Sequence, residues 1–395
     1  MKNEIKKPVY LDYHSTTPVD KRVLEDMIPY FTNIYGNPAS VDHSYGLEAN
    51  KAVERSREQI SKVINCNPEE IIFTSGATES DNLALKGIVE KYKDKGNHII
   101  TCVTEHKAIL DTCRELEKKG VVEVTYLPVD KFGKIDLQLL KSAITKKTIL
   151  ISIMSANNEI GTIADLEEIG SIAHEHGILF HTDAAQAVGH IPLDVRELNI
   201  DLMSISAHKV YGPKGIGVLY CKGVKPRVRP YPLFHGGGHE RGIRSGTLNV
   251  PGIVGMGKAL EVASKEMYSE NKKFKKWTKK MYDSIKEGLG NDMVIELNGH
   301  NNDRLSHNLN IFFNGIDNKA LINSIQPFVS LSSGSACTTA GMEPSYVILA
   351  LGFDEERASS SIRIGIGRFN TNEEIEYATD VIVKSVKQLK SVKSV

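Results

Sequence analysis

Asp183 and Lys209 are the two residue types that a pyridine-based cofactor asks of a protein. An aspartate at a strand end can pair with a protonated heterocyclic nitrogen and keep it charged. A lysine in a sheltered site gives up its proton more readily and can bond an aldehyde. Together they would be the electron-sink partner and the aldehyde anchor of pyridoxal phosphate chemistry.

Other candidates surround this pair. Ser75-Gly-Ala-Thr78 runs into the helix-like stretch Glu79 to Lys86, and backbone N–H groups at a helix start hold phosphate. Thr78 could also be a plain helix cap. Ser206 and His208 stand just before Lys209 and could reach the same phosphate. His106 could lie flat on a cofactor ring or be a hydrogen-bonded structural histidine. Arg363 interrupts the apolar pattern Ser361-Ile-Arg-Ile-Gly365; a buried arginine wants a carboxylate, and a bidentate substrate carboxylate would serve. Cys337 lies in Ser332-Ser-Gly-Ser-Ala-Cys-Thr-Thr-Ala-Gly341, which reads as an exposed loop carrying a mobile nucleophile. The alternative is a buried, inert thiol, which is how Cys66, Cys102, Cys113 and Cys221 read. His235 and His239 are spaced for a helix face, but the three glycines between them argue against a helix, so no metal is expected. An anion-seeking loop with Arg241, Arg244 and Thr247 as donors fits that stretch better.

Short apolar runs must carry these residues. They are Ile71–Thr74, His98–Val103, Val121–Leu127, Ile149–Met154, Ile178–His181, Leu202–Ile205 and Gly217–Tyr220, with amphipathic stretches such as Leu166–His176 between several of them. Each run reads as a buried strand, and the alternation predicts an α/β fold with a mainly parallel sheet wrapped by helices. Five runs end directly in polar loops, and ligands of such sheets bind at the carboxyl ends of the strands. The five loops therefore describe one composite site. After Pro251 the pattern changes to a long Lys- and Glu-rich helix, about Val254 to Leu289, followed by further strands and helices. The expected division is residues 15–260 as a large cofactor domain, with 1–14 and 261–395 forming a small domain that carries the Cys337 loop.

The 395 residues contain 49 Lys+Arg and 49 Asp+Glu, so the formal net charge is zero. A protein that binds nucleic acid directly would carry a positive excess, so that class is not expected. Five cysteines without a Cys-x-x-Cys pair imply reduced thiols and a cytoplasmic setting. No apolar stretch approaches membrane-spanning length, and Met1 to Lys7 lacks a secretory pattern.

Further motifs tie these readings to a known family. Leu11-Asp-Tyr-His-Ser-Thr-Thr-Pro18, Gly36-Asn-Pro-Ala-Ser40, Phe73-Thr-Ser-Gly-Ala-Thr-Glu-Ser-Asp-Asn82, Thr104-Glu-His-Lys107, Asn157-Asn-Glu-Ile-Gly161, His208-Lys209, Arg244-Ser-Gly-Thr247 and Ser333-Gly-Ser-Ala-Cys337 run nearly end to end. The chain resembles the cysteine desulfurases of the NifS/IscS type, class V aminotransferases of the fold-type I, aspartate aminotransferase-like group. The resemblance implies a seven-stranded, mainly parallel sheet plus a small α/β domain, with pyridoxal 5'-phosphate as cofactor. By it, Lys209 is similar to the lysine that holds the cofactor, Asp183 to the ring-nitrogen partner, Gln186 to the donor on the ring oxygen and His106 to the stacking residue. Ala77, Thr78, Ser206 and His208 resemble phosphate contacts, and Thr247 one that reaches the neighbouring subunit of a homodimer with shared sites. Asn157 and Arg363 resemble holders of the substrate carboxylate, and Cys337 the thiol that takes sulfur from L-cysteine, leaving L-alanine. An acceptor protein would then receive the sulfur, an iron–sulfur scaffold first, with tRNA thiolation or DNA phosphorothioation as other outlets. A different pyridoxal phosphate C–S or C–Se lyase, or an aminotransferase on the same fold, is the alternative.

Overall fold

The computed structural model describes residues 5–291, 293–334 and 343–393. In chain order its strands are β1 (Val9–Tyr10), β2 (Ile71–Thr74), β3 (His98–Cys102), β4 (Glu123–Leu127), β5 (Thr148–Ser152), β6 (Leu179–Asp183), β7 (Leu202–Ser206), β8 (Gly217–Cys221), β9 (Ile295–Leu297), β10 (Asn308–Phe313), β11 (Val329–Ser330) and β12 (Ser361–Gly365). Seven of them form one sheet in the order β2-β8-β7-β6-β5-β3-β4. β8 runs antiparallel to both its neighbours, and the remaining pairs are parallel. The seven apolar runs are thus the seven strands, with ends shifted by one or two residues. The reason they read as continuous apolar segments is visible in β3, β5, β6 and β7, where every residue is buried. Helices cover both faces of the sheet, so no face needs polar alternation. β4 sits at the sheet edge and is the one of these strands with an exposed residue.

Two cores flank this sheet. One packs Ile100, Ile151, Phe180 and Met203 against Val53 and Ile60 of the Ser44–Ile64 helix. The other packs Ile99, Leu150 and Leu202 against the Ala77–Tyr92 and Lys107–Lys118 helices. A third core lies apart, where β10 and β12 meet Phe274, Trp277, Ile382 and Val386. β12, β10 and β9 form an antiparallel sheet there, and β1 pairs with β11 through Val9 and Val329.

The Val250–Leu289 helix runs unbroken for 40 residues, so the expected boundary at 260/261 falls inside it. Its early residues Val254, Ala259 and Leu260 belong to the first core, and Phe274, Met281 and Ile285 to the third. The sequence places the helix start at Val254, four residues late, because Pro251 reads as a breaker. Proline is at home in a first helical turn, where its missing N–H would be unpaired anyway. Here the Asn249 side chain caps that turn by accepting the Gly252 N–H at 3.1 Å. Among the described residues, no helix is long and apolar enough to cross a membrane.

Candidate active site

The loops that follow β2, β3, β5, β6 and β7 enclose a cavity of about 440 Å³. Ala77, Thr78, His106, Asp183, Gln186, Ser206, His208, Lys209 and Arg363 all line it. Parallel strands that end on one side of a sheet bring their loops together, which is why residues 77 to 209 meet here, and Arg363 reaches the cavity from β12 of the smaller antiparallel sheet.

The anion end is built on the Ala77–Tyr92 helix. Gly76 caps that helix without a side-chain hydrogen bond, so its first N–H groups remain open to a ligand. A Cβ on Gly217 would stand 2.6 Å from Gly76 Cα, so only glycine at the start of β8 lets the two backbones approach this closely. Glu79 accepts the Ser75 N–H at 2.8 Å and pairs with Arg244 at 2.8 Å. Arg241 donates to the Ile71 carbonyl at 2.7 Å. The two arginines read as anion donors therefore have protein partners, and neither faces the cavity. Thr247 is exposed on the following loop and does not line the cavity either.

Asp183 ends β6 and accepts the Ala185 N–H at 2.9 Å. Burial pushes its carboxyl up, and His106, that N–H and Lys209 oppose the rise. His106 caps the Lys107–Lys118 helix by accepting the Ala108 N–H on Nδ1 at 3.2 Å. In the neutral ring the proton then sits on Nε2. Lys209 closes the short turn after β7, and its Nζ donates to the His14 carbonyl and to the Ser15 carbonyl at 2.9 Å. His208 Nδ1 meets Thr16 Oγ1 at 3.1 Å, and burial lowers this imidazole to about 4. Gln186 donates to the His14 carbonyl at 2.9 Å and faces His14 Nδ1 with its oxygen at 3.1 Å.

Arg363 is buried in β12. It donates to the Asn158 carbonyl at 2.9 Å, Asp12 Oδ1 at 3.0 Å and Ser15 Oγ at 2.7 Å. Asp12 is thus the carboxylate that the buried guanidinium demands, while Nε has no partner among the described residues. Asn157 does not reach the cavity. Its amide donates to the Thr104 carbonyl at 2.9 Å, and its oxygen accepts the N–H groups of Glu159 and Ile160 at 2.9 and 3.0 Å. The neighbouring Asn158 lines the cavity instead, with its side-chain oxygen buried and unpartnered among the described residues. Sequence reasoning could not separate two adjacent asparagines, because only the turn decides which points inward.

Cys337 lies outside the described residues. The chain on either side of its segment meets at Glu159, next to Asn158. Ser345 donates to the Glu159 carboxylate, and a Cβ on Gly334 would lie 3.0 Å from the same carboxylate. The other four cysteines match the inert reading. Burial raises all four thiols, Cys113 to about 12 and the rest further. Among the described residues, the one trio of potential ligand groups with atoms close together is Asp81, His106 and Asp183; His235 and His239 are not in it.

Two sets of residues escape the sequence reading. His14, His307 and His190 stack in a buried column, with ring centroids 4.5 and 4.1 Å apart. Positions this far apart in the chain give no spacing signal. The other set is a wall of buried carboxyls, Asp81 and Glu105 behind Asp183. Glu105 accepts the Met154 N–H at 2.6 Å, and burial raises its carboxyl to about 8. An acid raised on folding is most stabilised while protonated, so this contribution is full below its unfolded value of about 4.5 and is lost as pH rises through about 8. Glu105→Gln is therefore expected to flatten the fall in melting temperature between roughly pH 5 and 8. Thermal melts across that range check it, and an unchanged slope would show Glu105 ionised throughout.

The chain belongs to the class-V aminotransferase family, whose model matches residues 9–378. Within that family it is similar to the cysteine desulfurase IscS of Rickettsia bellii, 52% identical over 390 residues that cover 99% of this chain and 94% of the relative. A solved NifS-like protein superposes with a TM-score of 0.88 at 39% identity, covering 97% of this chain and 100% of that one. A solved SspA in complex with cysteine superposes with a TM-score of 0.77 at 37% identity, covering 92% of this chain and 100% of that one.

Proposed function

We propose that the protein is a cysteine desulfurase that takes sulfur from L-cysteine, releases L-alanine and passes the sulfur on from Cys337. The observation that carries this reading is the convergence of Asp183, His106 and Lys209 on one cavity, in a chain 52% identical nearly end to end to a named cysteine desulfurase.

The donor set fits pyridoxal phosphate. A buried carboxylate suits the ring nitrogen, an open helix start with Thr78, Ser206 and His208 suits the phosphate, and Lys209 suits the aldehyde. When bound, this cofactor supplies an electron sink next to the substrate α-carbon. Every other task falls to the chain. Asp183 would keep the ring nitrogen charged, His106 would hold the ring, and Gln186 would hold the ring oxygen. Lys209 removes the substrate α-proton and later returns a proton. Arg363 meets the substrate carboxylate, and Asn158, which faces the cavity, serves there in place of Asn157. The Cys337 thiolate attacks the substrate sulfur. The substrate C–S bond breaks, an S–S bond forms on Cys337, and the carbon keeps the electron pair and takes a proton to become alanine.

The chain acts in the cytoplasm as a homodimer in which Thr247 reaches the neighbouring site. Exposed aromatic side chains support the dimer: Phe31, Tyr35, Tyr45 and Phe234 are large apolar groups left in solvent by the single chain. The sulfur acceptor is a protein, an iron–sulfur scaffold before any other carrier. Residues 15–260 act as the cofactor domain and the two chain ends as a small domain that presents Cys337. Incubating the cofactor-loaded protein with L-cysteine and a thiol reductant is expected to yield alanine and sulfide in equal amounts. Loaded protein that forms no alanine overturns the reading.

A further inference from the structure

Asp81 takes no part in the chemistry above, yet it lies behind the central carboxylate of the site. It is on the Ala77–Tyr92 helix and is fully buried. Carboxylate oxygens of Asp81 and Asp183 and a ring nitrogen of His106 all lie within 4.8 Å of one another. Glu105 adds a third buried carboxyl to the same wall. Three negative charges cannot share so dry a site, because like charges at this range force protons onto all but the best-solvated group.

The contacts decide which group keeps its charge. Asp183 accepts the Ala185 N–H, lines the cavity and faces both His106 and Lys209. Asp81 has neither oxygen hydrogen-bonded among the described residues. The groups facing it are Asp183, Glu105, His106, His181 and Ser204. His181 is not a counter-ion. Burial lowers it to about 3, its Nδ1 meets Ser152 Oγ at 2.9 Å, and its Nε2 meets Ser204 Oγ at 3.0 Å. Its distance to Asp81 is 3.8 Å. Ser204 lies near enough to favour the ionised Asp81 slightly, but its hydroxyl is shared with His181, and burial together with Asp183 outweighs it.

We propose that Asp81 is a positioning residue for Asp183: a neutral carboxylic acid whose O–H dipole stabilises the Asp183 carboxylate and leaves it the only charge in the wall. The role rests on Asp183 being the ring-nitrogen partner; the protonation of Asp81 does not. Two neutral side chains then differ in a useful way. Asn at position 81 keeps a polar hydrogen beside Asp183, whereas Leu of similar volume removes it.

The full-length protein tests this in two steps. Without cofactor, the infrared difference between wild type and Asp81→Asn at neutral pH is expected to show the loss of one protonated-acid carbonyl band. Loss of carboxylate bands instead overturns the proposal, whatever the protein's activity. The same variants, titrated with pyridoxal phosphate and followed by visible absorbance against pH, give the second step. Asp81→Asn should hold the wild-type midpoint and an affinity within about threefold. Asp81→Leu should move the midpoint by about one pH unit and weaken binding about tenfold. Equal midpoints in wild type and Asp81→Leu reduce Asp81 to packing, a role that would not be rescued by Asn in this readout. If wild type binds no cofactor, the functional reading fails while the infrared result still decides the state of Asp81.

Discussion

Cys337→Ala is expected to abolish alanine formation from cysteine, by about 10³-fold or more, while leaving cysteine binding intact. Removing the nucleophile of a covalent mechanism costs that much because nothing else in the site can form the bond. The other thiols are no substitute. Cys102 is the one that contacts the carboxyl wall, with Sγ 3.4 Å from Glu105, and burial beside that acid keeps it protonated. A protonated thiol is a poor nucleophile. Cys66, Cys113 and Cys221 are raised as well. Alanine and sulfide production measure the loss, and the visible-absorbance change on adding cysteine measures retained binding. Wild-type sulfur release from the variant would point to a lyase that needs no thiol, and normal amino-group transfer would point to an aminotransferase.

That such a variant can be named at all reflects how the chemistry is written in the chain. The strands are legible because both faces of the sheet are covered, so Ile99, Ile100, Leu150 and Ile151 appear as unbroken apolar runs. The site residues are legible because they follow those runs directly: Asp183 ends β6 and Ser206 ends β7. What stays hidden depends on direction in space. Asn157 and Asn158 are equivalent on paper, and the turn through Glu159 and Ile160 gives one to the backbone and the other to the cavity. Asp81 sits one turn into a helix and is visible in the sequence only as part of the Phe73–Asn82 motif, because the carboxyls it meets are 24 and 102 positions further along the chain. Arg241 and Arg244 read as anion donors because their partners Ile71 and Glu79 are more than 160 residues away.

Lys209→Arg separates the chemistry of the lysine from its structural work. Lys209 Nζ donates to two backbone carbonyls, those of His14 and Ser15, and so ties the chain's N-terminal segment to the turn after β7. Lys209→Ala would remove both bonds together with the reactive amine, and a loss of activity could then have either cause. Arginine keeps a cation and several N–H donors for those carbonyls, but it stays protonated and cannot bond an aldehyde or accept the α-proton. The Arg variant is therefore expected to melt close to wild type and still to bind pyridoxal phosphate non-covalently through the helix start and Asp183. Its alanine production should fall by about 10³-fold or more, since both the general base and the covalent anchor are gone. Borohydride reduction should fix cofactor permanently to wild type and not to the variant. Retained turnover in Lys209→Arg would move the proton transfer to another titratable side chain of the same cavity, of which His106 and His208 are two.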